Sequence, residues 1–220
     1  MAGLPDSSDP WPLRALRLRT PRLELRPDDD TGLIELAGQA LAGVHPPEQM
    51  PFDVPWTDAD PQELGRNVLQ HFWSQRAALR PDGWALHFLI RLAGRVIGVQ
   101  SLSATSFAVT REVDTGSWLG SRYQRQGYGT EMRAAVLSLA FDHLGARTAR
   151  SAAFVDNAAS LAVSHRLGYR PDGSVTAIRR GAPAEQVRLL LTWEEFQRHR
   201  PAWCPEVAGL AGCRELLGGG

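Results

Sequence analysis

The spacing of apolar and polar residues divides the first third of the chain into one strand and two helices. Residues Arg22–Pro27 (RLELRP) alternate polar and apolar side chains, which predicts a short strand. The aspartates Asp28–Asp30 then open a stretch with helical spacing (TGLIELAGQALAG), and acidic residues are favourable at a helix N-terminus. A second helix is predicted from about Pro61 to Ala78, after a proline-rich loop.

A β-hairpin, a further strand and a long helix are predicted in the middle of the chain. The segments WALHFLIRL and RVIGVQSLS flank Ala93 and Gly94, a two-residue connection that suits a hairpin. The segment REVDTGSWLG is typical of another strand that ends in glycine. A helix follows from Gly129 to Leu144, with an apolar stripe on one side and Gly145 as its C-cap.

Two more strands and two more helices complete the pattern. TARSAAFV predicts a buried strand, and DNAASLAVSHRLGY predicts a helix capped by Asp156 or Asn157 and ended by Gly168. EQVRLLLT predicts a closing strand, and TWEEFQRH begins with a capping box. This order indicates an α/β fold with helices on both faces of one mixed, mostly antiparallel sheet. The β–α–β unit around residues 114–154 is expected to supply a parallel pair.

Composition and charge limit the reactions and partners that are expected of such a fold. The 24 cationic residues balance 24 acidic ones, so the net charge is zero, and no basic stripe favours nucleic acid. All the cations are arginine, which excludes a lysine Schiff base and a phosphate-loop lysine. The two cysteines, Cys204 and Cys213, complete no metal site, so no metal is expected. Sparse cysteine use suits a reducing compartment, and no apolar run is long enough to span a membrane, so a cytoplasmic location is predicted.

The octet QRQGYGTE, from Gln124 to Glu131, is the strongest local motif. Glycines at a helix start let the backbone approach a ligand closely, and the unpaired amides and helix dipole there favour an anion. A Walker loop needs a lysine, which the chain lacks, and a dinucleotide fingerprint needs a third glycine where Met132 stands. Taken alone, the octet is therefore either an anion cradle or an ordinary glycine turn.

Together with three other blocks, the octet resembles one family. Gln124–Gly129 matches Q/R-x-x-G-x-G/A, the pyrophosphate loop of the GNAT acyl-CoA transferases, and DNAASLAVSHRLGYR is similar to that superfamily's N-x-x-S-x-x-x-x-x-x-x-G-[FY] segment. LRTPRLELRPDDD and VDTGSWLGSRYQRQGYGTEM resemble the RimJ/RimL-type branch, and PFDVPWT and GSWLG resemble an actinobacterial group within it. The resemblance implies a GNAT fold with a splayed acyl-CoA cleft, in a domain over residues 18–200 between a lead-in (1–17) and a C-terminal tail (201–220).

The resemblance also implies how acyl-CoA is held. Backbone amides of the octet are implied to bind the CoA pyrophosphate, and the residues implicated are Gln124, Arg125, Gln126, Gly127, Tyr128, Gly129 and Thr130. A backbone N–H on the splayed fourth strand, at Trp118 or Leu119, is implied to polarise the thioester carbonyl, and Asn157 to bond the pantetheine arm. Two alternatives remain open. Arg125 is also interpretable as a solvent-exposed surface residue, and Trp118 as an aromatic residue that packs in the core.

Transfer to an amine needs a base, because an amine with a pKa of ~10 is mostly protonated at neutral pH. Asp114 aligns with an acidic position of the branch and is the favoured base. Glu112, two residues earlier on the same strand face, is the alternative. Either Ser160, which occupies the position near the CoA sulfur, or a water protonates the departing thiolate. No cysteine lies in the matching region, so direct attack in a ternary complex is expected.

The acceptor pocket is expected between the proline-rich loop, the second helix and the hairpin. Its candidate lining residues are Phe52, Trp56, Trp73 and His87. We therefore expect a homodimeric cytoplasmic N-acyltransferase that moves an acetyl or other short acyl group, succinyl included, from acyl-CoA to a small-molecule amine or a protein N-terminus. Neither nucleic acid nor a membrane is an expected partner. Two alternatives remain: a non-catalytic acyl-CoA-binding sensor and an antibiotic-modifying acetyltransferase.

Overall fold

A computed structural model describes residues 9–218, which build a nine-stranded sheet with helices on both faces. The strands are β1 (Arg17–Arg19), β2 (Leu23–Pro27), β3 (Gly83–Leu92), β4 (Arg95–Thr105), β5 (Glu112–Leu119), β6 (Thr148–Phe154), β7 (Arg170–Arg179), β8 (Ala182–Thr192) and β9 (Glu206–Ala208). The helices are α1 (Asp30–Leu41), α2 (Pro61–Ala78), α3 (Phe107–Thr110), α4 (Tyr128–Ser138), α5 (Ala158–Arg166) and α6 (Trp193–His199). The predicted α/β fold class is confirmed.

Local capping explains why the predicted helices begin where they do. The Asp60 carboxylate accepts the N–H of Gln62 just before Pro61, so α2 has the bounds that its spacing predicts. Asn157 caps α5, since its Oδ1 accepts the N–H of Ser160 at 3.1 Å. The predicted helix at 129–144 is present, but its last turns, Leu139–Leu144, are π-helical rather than α-helical. It ends at Gly145, as predicted.

Three strands are not predicted by the pattern, and all lie at or next to an edge of the sheet. The strand order is β7-β8-β6-β5-β4-β3-β2-β1-β9, so β7 and β9 form the two edges. β1 begins at the last residue of the expected lead-in (1–17), β9 lies in the expected tail (201–220), and the two strands pair antiparallel. The tail also enters the core, where Leu217 is fully buried and its carbonyl accepts Trp84 Nε1–H at 3.1 Å.

Two apolar clusters, one on each face of the sheet, hold the layers together. On one face, α1 and α2 bury Leu36 and Phe72 against Leu89 and Val99 of the central strands. On the other face α4 belongs to the larger cluster, in which it is buried nearly all round. Because side chains alternate along a strand, neighbouring residues of β3, β4 and β5 serve opposite clusters. The central strands therefore contribute side chains to both clusters.

All adjacent strands pair antiparallel except β5 and β6, as the predicted β–α–β unit requires. Their parallel ladder covers only Glu112–Asp114 against Thr148–Arg150. Beyond that point β5 stays paired with β4 as far as Leu119, while β6 stays paired with β8 as far as Phe154. The two strands thus separate toward their C-terminal ends and leave a gap in the middle of the sheet.

Candidate active site

The closed end of the gap is fixed by side chains that replace the missing ladder. Thr115 Oγ1 donates to the Arg150 carbonyl at 3.2 Å, and Ser151 Oγ donates to the Thr115 carbonyl at 3.1 Å. Tyr169, which follows α5, shares a 2.9 Å hydrogen bond with Thr115. These bonds join the two strands at the point of separation, so the gap has a defined closed end.

Backbone groups of β5 point into the gap at alternate residues. The Gly120 N–H donates to the Ile97 carbonyl on the β4 side at 3.0 Å. Because strand amides alternate in direction, the Trp118 N–H also faces β4, whereas those of Ser117 and Leu119 face the gap. Of the two positions that the resemblance implies for carbonyl polarisation, this alternation favours Leu119. The Trp118 side chain lies on the α1–α2 face, half-buried in that cluster.

The octet forms the turn that begins α4 at the open end of the gap. Gly127 is the N-cap residue with φ of +83°, and no side chain caps the helix. The first amides of a helix have no acceptor within it, so those of Tyr128, Gly129 and Thr130 suit an anion. Arg125, also left-handed with φ of +60°, is exposed beside them.

An ion pair and a side-chain amide hold the octet in place. Glu131 is buried and accepts hydrogen bonds from Thr20 Oγ1 at 2.6 Å, from the Arg22 N–H at 3.0 Å and from Arg22 Nε at 2.6 Å. Arg22 also donates to the Gln126 carbonyl at 3.0 Å and lies over the Tyr128 ring. Gln124 Nε2 donates to the Val44 and Leu119 carbonyls, so this side chain ties the loop to its neighbours instead of facing a ligand.

The N-terminus of α5 lies beside the octet, because β5 and β6 are parallel and their C-terminal ends share one edge. A methyl group at Gly129 would lie 3.6 Å from Val163 Cγ2, so the first turn of α4 packs against α5. Asn157 uses its carbonyl oxygen as the helix cap, which leaves its NH₂ group for another acceptor. Ser160 is half-buried, and its hydroxyl has no described partner. Asn157 and Ser160 therefore lie near the open end of the gap.

A buried arginine spans the gap on its α4 face. Arg133 Nη1 donates to Ser164 Oγ of α5 at 2.9 Å, and Nη2 donates to Ser117 Oγ of β5 at 3.2 Å. Burial lowers the pKa of Arg133, with Tyr169 acting weakly in the opposite direction. Burial also raises the pKa of the Tyr169 phenol to about 12, so Tyr169 is neutral.

The two candidate bases lie on the opposite face, and their surroundings differ. Glu112 accepts from Arg150 Nε at 2.8 Å and from Thr148 Oγ1 at 3.0 Å, so both of its oxygens are engaged. The Asp114 carboxylate has no described hydrogen-bond partner and borders a hollow lined by Gln75 of α2 and Ser103 of β4. Desolvation and, to a smaller extent, the Glu112 charge raise the pKa of Asp114, while Arg150 opposes them. Asp114 is thus the carboxylate with unused acceptor capacity.

Small polar residues continue this surface along the strands. Ser103 is opposite Asp114 in the β4–β5 register, and Ser101 is opposite Gly116 and His87. His87 is buried, shares a 2.8 Å hydrogen bond with Ser101 Oγ through Nδ1, and has no described partner at Nε2. Burial, together with the nearby His71, lowers its pKa to about 4, so His87 is neutral at pH 7.

Three of the predicted aromatic residues come together next to this surface, and one does not. Trp118, Trp56 and Phe52 form a continuous series with ring centroids 5.4 and 5.2 Å apart. Trp73 is on another side of α2, where its Nε1–H donates to Asp30 at 3.1 Å. Its ring borders a separate hollow with Trp11 and Arg14. Trp73 therefore lies apart from the predicted acceptor pocket.

The β7–β8 turn closes over the proline-rich loop (residues 42–60). Arg180 of the turn donates to both carboxylate oxygens of Asp58, at 2.7 and 2.6 Å. Gln186 of β8 donates to Asp53 at 2.7 Å. These bridges join the β7–β8 part of the sheet to the loop that carries Phe52 and Trp56.

This geometry agrees with a match to a known protein family. The model of the acetyltransferase (GNAT) domain matches residues 22–170, more than half of the chain, and the chain belongs to this family. It is an acyl-CoA-dependent N-acyltransferase, since members use acyl-CoA and an amine acceptor. The N-acyltransferase activity and the acyl-CoA co-substrate expected from the sequence are confirmed.

Solved structures share the fold at low sequence identity. Mycobacterium smegmatis RimJ in complex with CoA-disulfide has a TM-score of 0.71 and 22% identity, over 84% of this chain and 90% of that one. RimL, the ribosomal L7/L12 alpha-N-protein acetyltransferase in complex with coenzyme A, has a TM-score of 0.61 and 21% identity, over 79% and 95%. A GCN5-related N-acetyltransferase from Brucella melitensis has a TM-score of 0.64 and 19% identity, over 83% of each chain.

Two further properties concern the described residues 9–218 alone. Within them no helix is both long enough and apolar enough to cross a membrane. The same residues contain no group of three or more His, Cys, Asp or Glu side chains arranged to hold a metal ion.

Some residues that support the site have roles that are not evident from local sequence patterns. Arg22 and Glu131 are distant in the chain, and nothing local signals that they pair. Arg133 looks like a surface residue in isolation. However, the run MRAAVLSLAF around it is apolar on every side of the helix, which is typical of a fully buried helix. That pattern is the signal from which its burial was predictable.

We predict that Gly127→Ala weakens CoA binding, whereas Gly181→Ala does not. Both glycines have left-handed φ, +83° and +78°, so an alanine at either position costs on the order of 1 kcal/mol of stability. Only at Gly127 does the added methyl enter the octet, 3.2 Å from Arg22 Nη2. Titration calorimetry with CoA is expected to give a Kd about tenfold higher for Gly127→Ala. Equal Kd values for the two variants would contradict the assignment of the octet.

Proposed function

We propose that this enzyme transfers a short acyl group to an amine by direct attack, with the gap between β5 and β6 as the acyl-CoA site. The main observation that supports this proposal is the separation of these strands beyond Asp114, with an uncapped helix N-terminus at the open end. The pyrophosphate binds the first-turn amides of α4, beside Arg125. The pantetheine arm lies in the gap, where the β5 backbone and the Asn157 amide accept and donate hydrogen bonds.

In this proposal the thioester lies in the gap beside Leu119. The Leu119 N–H, directed away from β4, polarises the carbonyl oxygen, on which negative charge develops during attack. The amine approaches from the face that carries Asp114, Ser103 and His87. Asp114 lies five residues before Leu119 on β5, so it accepts the amine proton through intervening waters, and its oxygens have no other described donor. The thiolate takes up its proton from Ser160 or from water.

The acceptor is a small-molecule amine or a protein N-terminus. A neutral His87, the small side chains of Ser101 and Ser103, and the Trp56–Phe52 pair support a site for a compact, partly apolar amine. RimL acts on a ribosomal protein, as its description states, which supports a protein N-terminus as a candidate. The antibiotic-modifying alternative shares this chemistry and differs only in the amine.

The enzyme is further proposed to be cytoplasmic and homodimeric. Two unpaired cysteines, one exposed and one buried, suit a reducing compartment. The edge strand β7 has Val175 and Ile178 exposed, Ile178 at 74%, and an apolar edge of this kind favours pairing with a second copy. Light scattering is expected to give twice the chain mass of 24.1 kDa, and a monomer mass would contradict the dimer.

The proposed activity is tested by thiol release from a panel of acyl-CoAs against a library of amines. We expect release that depends on both the acyl-CoA and the amine, with the acyl group recovered on the amine by mass spectrometry. Binding of acyl-CoA with no turnover against any amine would favour the sensor alternative. Release without an amine would indicate hydrolysis instead of transfer.

We predict that Asp114→Asn lowers kcat by ~10²-fold or more, because the amide cannot accept the proton. In the unmodified enzyme, kcat falls as pH decreases through the pKa of Asp114, which is raised above its ordinary value of 3.8. Glu112→Gln removes one charge that raises this pKa, so it is expected to move the acidic fall in kcat to lower pH and to retain most of kcat. An unchanged profile in Asp114→Asn would remove Asp114 from the role.

A further inference from the structure

Arg133 carries a buried positive charge that no described carboxylate neutralises. Its side chain is 4% exposed, and its described hydrogen-bond partners are the hydroxyls of Ser117 and Ser164. Its Nε–H is buried without any partner. Two less buried arginines, Arg91 and Arg200, pair with Asp29 and Asp142, as expected because an unpaired buried charge is destabilising. The site therefore has unused capacity for an anion.

The surroundings of Arg133 are polar and uncharged. Gln100 is opposite Ser117 in the β4–β5 register, and its buried Oε1 also lacks a described partner. Thr115 and the neutral Tyr169 pair with each other at 2.9 Å on the same face. Among these side chains Arg133 alone carries a charge, and that charge is positive.

The position of the Arg133 guanidinium relative to the gap is defined by the two serines. Ser117 belongs to β5, one wall of the gap, and Ser164 belongs to α5, which follows the other wall. Arg133 therefore spans the gap on its α4 face. Asp114 and Ser103 are on the opposite face, where the amine is proposed to approach. An acyl chain longer than acetyl must avoid the amine, and the α4 face is the side left to it.

We propose, building on the acyl-CoA transfer proposed above, that Arg133 is a specificity-determining residue for a dicarboxylic acyl group. The guanidinium binds the terminal carboxylate of an acyl chain such as succinyl, using its unpartnered Nε–H together with an adjacent N–H. An acetyl group ends in a methyl and leaves the charge unneutralised. The carboxylate thus supplies the anion that the protein itself does not.

The transfer step is unchanged by this assignment. The amine nitrogen bonds to the thioester carbon, the carbon–sulfur bond breaks, the amine proton passes to Asp114, and the CoA sulfur takes up a proton. The terminal carboxylate remains ionised on Arg133 throughout. Its binding adds affinity for the donor and fixes the acyl chain on the side away from the amine.

Succinyl-CoA and butyryl-CoA provide the test, because their acyl chains share four carbons and differ in the terminal carboxylate. Titration calorimetry of the full chain, without an acceptor, is expected to give a Kd at least about tenfold lower for succinyl-CoA. In Arg133→Gln this ratio is expected to fall to about one. Arg133→Lys keeps the charge but lacks the planar fork, so an intermediate ratio is expected.

The outcomes separate this proposal from the activity itself. Equal Kd values in the unmodified enzyme would overturn the dicarboxylic preference while leaving acyl-CoA transfer intact. A preference that persists in a folded Arg133→Gln would overturn the assignment to Arg133. Failure to bind either acyl-CoA would overturn both this proposal and the acyl-CoA site. Should Arg133→Gln fail to fold by circular dichroism, Arg133→Lys and the unmodified enzyme still decide the question.

Discussion

The separation of β5 from β6 is the constraint on which the site depends. A strand that leaves its partner exposes backbone donors and acceptors, and buried groups of this kind require another partner. Here the ladder stops after three residue pairs, and side chains from Thr115 and Ser151 fix the point at which it stops. Because the two strands are parallel, the helices that follow them, α4 and α5, both begin at the open end. The amides of one and the Asn157 cap of the other are therefore brought to the same place.

Strand β5 divides the chemistry between two faces. Asp114 and Trp118 point toward α1 and α2, whereas Thr115 and Ser117 point toward α4. The first face presents a carboxylate, small polar side chains and an aromatic series, which suit an incoming amine. The second face presents the buried Arg133 and neutral hydroxyls. The alternation of side chains along the eight residues of β5 thus separates the face with the proposed base from the face with the proposed acyl-group contact.

Local signals were enough to predict the central part of the fold. The hairpin of β3 and β4 follows from two apolar runs around a two-residue connection, and α2 follows from Asp60, Pro61 and helical spacing. The edge strands were not predictable in this way. β7 contains Pro171 and Gly173 and is mostly exposed, and β9 is three residues long, so neither has an alternating pattern of useful length.

The octet and its flanking blocks were recognisable because their residues act through the backbone at fixed spacing. Residues that act through long-range contacts were harder to predict from the sequence. Gln124 forms part of the octet, yet its side chain binds two carbonyls of neighbouring segments. Trp73 is a large aromatic residue like Trp56, but its side chain faces a different side of α2. The sequence did not show this difference between the two residues.

The arrangement of the two ends of β5 bears on how the substrates enter and the products leave. The β7–β8 turn and the proline-rich loop are bridged by Arg180 and Asp58, while the octet is exposed at the other end of β5. The hollow that borders Asp114 lies at the beginning of this strand. With the donor at the octet and the amine at Asp114, as proposed, the two substrates enter from opposite ends of β5. In that arrangement spent CoA does not have to pass the acylated product on its way out, so either product is free to leave first.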